Sequence, residues 1–381
     1  MAVSTVDYAT LDAAKLRFIE ASKRTLRFAQ PLGSVLNEGL GASANVLSLD
    51  LSRWHAAGVS KLNLSLVPEG LGTADDARPP DLSEAELTEF WFNIGVKAVA
   101  VITNDSASAG LQAVAIGLYL PSAQPEVVFS PPFLKGFLDG FVSGCEKVGC
   151  VYLSGETPQL KSKMLPHALD IAGACVAIGF PDRVAVNPRG VAEGDTIVLV
   201  ASSGPHENGF TTLRALADKL PQGYHTKVPG SETPFWKAIN KGSCLYTSLV
   251  QEVLKRGVSP SSLENITGHG WQKLMRSAKP LRYEITEPLP LPPLFAFIEQ
   301  HLQVSRARLL ELFNCGAGFA FFLESKSDAH LVTQIASELG FSAQIAGQVG
   351  RPEVVAGLPQ RSVVVPDWGV RLSGEDFALR K

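Results

Sequence analysis

The ionisable residues best placed for chemistry are Asp105, Glu156 and His206, because each stands among small or hydroxyl residues just after an apolar run. Leu87 to Thr103 is largely apolar, long enough for a buried helix, and then meets Asn104-Asp105-Ser106. A charge at that point must sit at an opening or be paired, since an unpaired buried charge is costly. Asp105 is therefore a candidate metal ligand or a helix-terminal or turn aspartate. Cys150 to Ser154 reads as a strand running into Gly155-Glu156-Thr157-Pro158. That sets a second carboxylate just past a strand end, where α/β proteins tend to hold ligands. Carboxylate oxygens suit Mg²⁺, which also bridges phosphates.

His206 belongs to a longer pattern. Ile197 to Ala201 is short and wholly apolar, as a strand buried on both faces should be, and Leu213, Leu216 and Leu220 recur at helical spacing. Between them Ser202-Ser-Gly-Pro-His-Glu-Asn-Gly209 forms a loop that opens onto a helix start. Gly204 and Gly209 let backbone approach a ligand, and the free N–H groups at the head of the helix favour an anion. His206 adds a group that donates a proton or binds a phosphate oxygen near neutral pH. Three further turns are built from small residues: Pro68 to Thr73, Asn265 to Trp271 and Phe313 to Phe319. Each alone is either punctuation or a place where backbone meets a ligand.

The elements that must position these turns follow from periodicity. Leu16, Ile19 and Phe28 predict a helix over Asp12 to Gln30, ending at Pro31. Asn37 to Ala44 is a Gly-rich lid or linker. Strands are expected at Lys61–Val67, Gln112–Leu120 and Leu169–Phe180, the last with Asp170 near its start, and an amphipathic helix at Pro132–Val148. Pro181, Pro188 and Gly190, with Arg183 and Arg189, shift the composition and open a second domain. There helices at Tyr246–Arg256, Leu294–Leu302, Ser305–Phe313 and Asp328–Leu339 alternate with strands at Leu281–Ile285, Gly318–Leu323, Ala343–Val349 and Ser362–Pro366. The alternation predicts an α/β (α+β layered) fold in both halves.

A chain of 381 residues is too long for one core, so two domains are expected. The net charge of -3 gives no general attraction to nucleic acid or anionic membrane, although a local basic cleft would still hold a phosphorylated small molecule. The five cysteines are odd in number and scattered, which fits reduced thiols in a cytoplasmic protein. The N-terminus lacks a basic segment followed by an apolar one, and no apolar run reaches the ~18 residues of a membrane span.

The order of the polar turns is more specific than any one of them. Gly70-Leu-Gly-Thr73, Asn104-Asp105, Gly155-Glu-Thr157, Ala201-Ser-Ser-Gly-Pro-His-Glu-Asn-Gly209, Ile266-Thr-Gly-His-Gly270 and Phe313-Asn-Cys-Gly-Ala-Gly318 succeed one another as in aminoimidazole ribonucleotide synthetase, also called phosphoribosylformylglycinamidine cyclo-ligase. The sequence resembles that family from about Asp7 to Val349. The resemblance implies a two-domain fold, with residues 1–182 as an ATP-binding and dimerisation domain and residues 183–381 as an α/β sandwich domain. It implies an ATP-dependent ring closure in purine biosynthesis with Mg²⁺. It also implies a homodimer whose N-terminal domains pair their sheets, with active sites near that junction. Carried over by position, nucleotide and substrate contacts fall on Gly70, Gly72, Thr73, Asn104, Gly155, Thr157, Ser203, Gly204, Asn208, Gly209, Thr267, Gly268, His269 and Asn314. Catalysis falls on His206 and Asp105, and the metal on Asp105 and Glu156.

The sequence departs from the family pattern at several of these turns. The acid before the glycine loop is Glu69, and Ala74 stands where the family has a lysine. Asn265 replaces a histidine, His269 replaces the middle glycine of a Thr-Gly-Gly-Gly turn, and Gly110-Leu-Gln-Ala replaces Gly-Ala-Glu-Pro. Ala74 favours a paralogue acting on another substrate or a non-catalytic dimeric binding protein. The paralogous branches act on selenide, thiamine phosphate or hydrogenase maturation proteins. Asp105, Glu156, His206 and Asn314 favour an enzyme.

Overall fold

A computed structural model describes residues 8–35, 44–56, 58–179 and 190–374. Most of the Gly-rich stretch 37–44 and the Pro/Arg segment 181–189 lie outside these. Backbone proximity divides the chain into residues 1–106 with 112–180, and residues 107–111 with 181–381.

In the first unit the chain forms α1 (Tyr8–Thr25), β1 (Asn63–Gly70), α2 (Glu84–Ser108), β2 (Gln112–Tyr119), α3 (Pro131–Val148), β3 (Val151–Glu156) and β4 (Ala172–Gly179). The four strands lie in the order β1-β4-β2-β3. β4 runs antiparallel to both neighbours, while β2 and β3 are parallel and joined through α3. Helix α3 carries two stripes at four-residue spacing. Phe133, Phe137 and Phe141 are buried, with successive ring centroids 5.2 and 5.9 Å apart, and Phe141 meets Tyr152 of β3 at 5.1 Å. Gly136, Gly140 and Gly144 face α2 so closely that a Cβ at Gly140 would lie 1.9 Å from the carbonyl oxygen of Phe92. Small residues thus let two backbones touch along the body of α2.

Two of the boundaries that differ from the sequence expectation lie at β1 and α2. β1 runs on through Pro68-Glu69-Gly70, because β4 continues to pair with it as far as Gly70 opposite Ala172. α2 does not stop before Asn104 but continues to Ser108. The polar residues there are absorbed by the helix itself: the Thr103 hydroxyl donates to the Val99 carbonyl at 2.8 Å and that of Ser106 to Thr103 at 2.6 Å. The turn comes only at Gly110, with φ of 73°, which leads into β2.

The second unit holds β5 (Thr196–Ala201), α4 (Phe210–Ala217), α5 (Thr247–Lys255), β6 (Ser262–Asn265), β7 (Arg282–Ile285), α6 (Pro293–Leu302), α7 (Arg306–Leu312), β8 (Ala317–Leu323), α8 (Lys326–Glu338), β9 (Ala343–Gly350), β10 (Ser362–Val365) and β11 (Val370–Ser373). Seven strands form one sheet in the order β6-β8-β5-β9-β7-β10-β11. β5 lies inside it, antiparallel to β8 and β9. Val198, Val200, Phe319 and Phe321 pack beneath Leu249, Val250, Val253, Val332 and Ile335 of α5 and α8. Only β7 and β10 pair in parallel. β6 escapes sequence reading because Ser-Leu-Glu-Asn has no strand-like composition, yet all four residues are buried beside β8.

Candidate active site

In the first unit the sheet places the expected residues at one end. Gly70, Ala172, Tyr119 and Glu156 share a rung across β1, β4, β2 and β3. Three strand spacings of roughly 4.8 Å put Gly70 and Glu156 ~14 Å apart on opposite edges. The chain leaves β1 at Leu71, whose N–H donates to the Ile171 carbonyl at 2.8 Å, and Gly72 turns with φ of 67°. α2 passes over the inner strand β4: Ile102 occupies the space beside Gly173, and the Cys175 thiol donates to the Ile102 carbonyl at 3.2 Å. Asp105 follows one turn later, half-buried and within electrostatic reach of Cys175, with Asn104 buried beside it.

Asp105 therefore projects from the last turns of a helix instead of a loop. Glu156 is the final residue of β3, not a residue beyond it, and its carboxylate accepts from the Thr157 N–H at 3.2 Å. Gly155 is required by Tyr152, whose hydroxyl would lie 2.4 Å from an added Cβ. Ala74 is buried, so the position of the family lysine belongs to the core. The sequence reading missed Asp75. Its carboxyl is 3% exposed, and its pKa is pushed up to about 7 by burial, then by the neighbouring Asp76 and, more weakly, Asp170; its own backbone and Arg78 oppose the rise. The sequence signal for it is an acid three residues after Gly72, close to a glycine turn.

In the second unit the Ser202–Gly209 loop is held from three sides. Asn314, 1% exposed, receives the Ser202 hydroxyl at 2.9 Å and the Gly316 N–H at 3.1 Å on its side-chain oxygen, while its amide donates to the Gly204 carbonyl at 2.9 Å. Trp271 donates to the Asn314 backbone carbonyl at 2.8 Å, which ties in the turn after β6. Both ends of the Asn314 amide are thus spent inside the protein. Gly209, with φ of 75°, begins α4 where the Phe313 ring leaves no room for a side chain.

His206 is 1% exposed, with φ of 56°. Its Nε2 accepts from the Ser203 N–H at 3.3 Å and the Cys244 N–H at 3.4 Å. An Nε2 that accepts carries no proton, so the ring in this arrangement is neutral with its hydrogen on Nδ1. Gly318 makes room for it: an added Cβ would lie 2.8 Å from the His206 ring and 2.0 Å from the Tyr246 hydroxyl. That hydroxyl donates to the Ala201 carbonyl at 2.9 Å, and burial pushes its pKa well up. Asn208 approaches Gly268 of the neighbouring turn, where the Thr267 hydroxyl accepts from buried Lys273 and His269 is exposed with φ of 71°. His206, His269 and Cys315, one in each polar turn, all adopt left-handed backbone. Such residues cost on the order of 1 kcal/mol or more each and cluster where a ligand is held. Sequence reasoning also missed the segment from Asn240 to Leu245, which packs on this loop through Gly242 and Cys244.

Two units of mixed sheet and helix, with polar turns gathered at the ends of their elements, define an aminoimidazole ribonucleotide synthetase-like fold. Residues 81–179 match the family model described as AIR synthase related protein, N-terminal domain. The phosphoribosylformylglycinamidine cyclo-ligase of Synechococcus sp. (strain CC9605) is 27% identical over 336 residues, covering 84% of this chain and 90% of that protein. The resemblance drawn from the order of the turns is thereby borne out. Among solved structures, the hydrogenase maturation protein HypE in complex with ATP superposes with a TM-score of 0.57 at 16% identity, covering 91% of this chain and 90% of that one. Thiamine-monophosphate kinase from Stenotrophomonas maltophilia K279a superposes with a TM-score of 0.59 at 15% identity, covering 97% and 99%. These likenesses establish the fold. Among the described residues no helix is long and apolar enough to cross a membrane.

Proposed function

We propose that the protein is an ATP-dependent cyclo-ligase that converts formylglycinamidine ribonucleotide to aminoimidazole ribonucleotide, ADP and phosphate. The reading is carried by the reach of the similarity, which spans 84% of the chain and 90% of a relative bearing that name. An amide oxygen leaves poorly. Transfer of a phosphoryl group to it creates a departing phosphate, after which the neighbouring nitrogen closes the ring; positioning and charge neutralisation supply most of such catalysis.

The Ser202–Gly209 loop suits a phosphate, since Asn314 and His206 fix its backbone before any ligand arrives. His206 acts in this reading by holding the Ser203 and Cys244 amides, and direct proton transfer would use Nδ1. Glu156 is an oxygen donor at the rim of the first-unit sheet and Asp105 is one on α2 near Cys175, and among the described residues no cluster of three or more His, Cys, Asp or Glu could hold a metal. Each carboxylate by its chemistry suits Mg²⁺ arriving with nucleotide phosphates, since this ion takes one or two carboxylates and keeps its remaining oxygens from phosphate and water. When bound, Mg²⁺ would neutralise phosphate charge. Leu64 and Leu66, 65% and 63% exposed on the edge strand β1, support a homodimer through this sheet. Five free thiols accord with the cytoplasm.

The second reading is a paralogue with another substrate, favoured by the burial of Ala74 where the family lysine would stand. Purified protein with Mg²⁺, ATP and formylglycinamidine ribonucleotide should release ADP together with the ring-closed product, and Asp105→Asn and His206→Ala should each suppress both. ADP release without ring closure, or release indifferent to both substitutions, would sink the cyclo-ligase. Rescue of a purine-requiring strain separates the two readings in cells.

A further inference from the structure

The segment Asn240-Lys-Gly-Ser-Cys-Leu-Tyr-Thr247 is pinned to the Ser202–Gly209 loop at two points and to the end of β5 at a third. The Ser203 hydroxyl donates to the Gly242 carbonyl at 2.7 Å, the Cys244 N–H donates to His206 Nε2 at 3.4 Å, and the Tyr246 hydroxyl donates to the Ala201 carbonyl at 2.9 Å. Ser243 lies between the first two. Its residue is 5% exposed, and its hydroxyl is buried without a hydrogen-bond partner. The side-chain amide nitrogen of Asn208, on the facing loop, is buried in the same condition. Buried polar groups are nearly always satisfied, so one left open beside an anchored loop points to a missing acceptor. The amide nitrogen only donates and the hydroxyl is able to donate, and a phosphate oxygen is an acceptor that takes several donors at once. The Glu207 carboxylate lies within electrostatic reach of Cys244 and Tyr246 and opposes an anion, while Lys241 on the same segment brings positive charge.

We propose that this segment is the second wall of the Ser202–Gly209 site and that Ser243 donates a hydrogen bond to a phosphate oxygen of the bound ligand. The proposal rests on reading that loop as a phosphate site. The phosphate belongs either to the nucleotide or to the phosphorylated substrate.

The test is calorimetric titration of the full chain and of Ser243→Ala and Ser243→Thr with Mg-ATP, with formylglycinamidine ribonucleotide, and with adenosine and the dephosphorylated riboside. A hydrogen bond to a charged group is worth roughly tenfold to a hundredfold in affinity. Ser243→Ala should lose at least about tenfold for one phosphorylated probe and nothing for its dephosphorylated counterpart, and Ser243→Thr should restore it. Whichever probe loses affinity owns the phosphate. Affinities within about twofold of wild type, equal losses for the dephosphorylated probes, or a wild-type protein that binds neither phosphorylated probe would overturn the proposal. If Ser243→Ala does not fold, alkylation of the wild-type protein decides. Cys244 is the half-buried cysteine among four buried ones, and burial holds its thiol pKa up, so labelling is run at alkaline pH. Either phosphorylated probe should slow modification of Cys244, and absence of protection by both overturns the site. A protein that binds as expected but closes no ring refutes the cyclo-ligase and leaves this site standing.

Discussion

Replacing Asp75 by asparagine should stabilise the protein at neutral pH and do little in acid. Burial, the largest cause, raises the carboxyl pKa from 3.8 to about 7, with Asp76 and Asp170 pushing the same way. The folded chain therefore holds this proton more tightly than the unfolded chain does. The stability it contributes is fully present below pH 3.8, is lost as pH rises towards 7, and is constant above that. Roughly three pH units of displacement at about 1.4 kcal/mol each give an upper bound of ~4 kcal/mol lost across this window. Asp75→Asn keeps the shape without the ionisation. At pH 8 it should unfold later than wild type by up to that amount, and the gap should close near pH 4. Urea titrations followed by tryptophan fluorescence at one-unit steps of pH would measure it. Trp91 is a reporter in the same unit, stacked under the Arg78 guanidinium at 4.9 Å. Other carboxylates titrate in the same range, so only the difference between the two proteins carries the information. A gap that stays constant from pH 4 to pH 8, or a variant less stable at pH 8, would refute the reasoning.

Asn314→Ala removes three side-chain hydrogen bonds to Ser202, Gly204 and Gly316. At about 1 kcal/mol each it should lower stability by ~3 kcal/mol and weaken Mg-ATP binding by loosening the loop; a melting temperature unchanged from wild type would show that the loop is held by other contacts. Leu64→Glu combined with Leu66→Glu puts two charges on the exposed edge of β1 and should leave a monomer in sedimentation velocity if that edge is the dimer contact. A dimer that persists places the contact elsewhere.

The parts of the fold legible in the sequence were those in which one pattern determines one outcome. The apolar run before Ser202 had to be an interior strand, and the Leu213/Leu216 spacing had to be the helix after it, because no other element buries those side chains. The boundaries went wrong where a partner decides them. Glu69 and Gly70 look like a turn until β4 pairs with them, and Asn104-Asp105 looks like a helix end until Thr103 and Ser106 are seen returning their hydroxyls to the helix. The candidate site divides in the same way. His206 and Asn314 stood out because they sit in glycine-rich turns, but residue type alone does not distinguish a group that meets a ligand from one that holds the loop which does. Asn314 spends its whole amide on three loop contacts, and His206 spends Nε2 on two backbone amides. Ser243 was invisible for the opposite reason. A serine after Lys-Gly in a connecting segment has no periodicity and no motif to mark it, and only the anchoring of Gly242 and Cys244 on either side brings its hydroxyl, without a partner of its own, up to the loop. Residues that sequence flags by type are thus the ones that shape this loop, whereas the hydroxyl left over for a ligand is recognised only by counting which buried groups the fold has failed to satisfy.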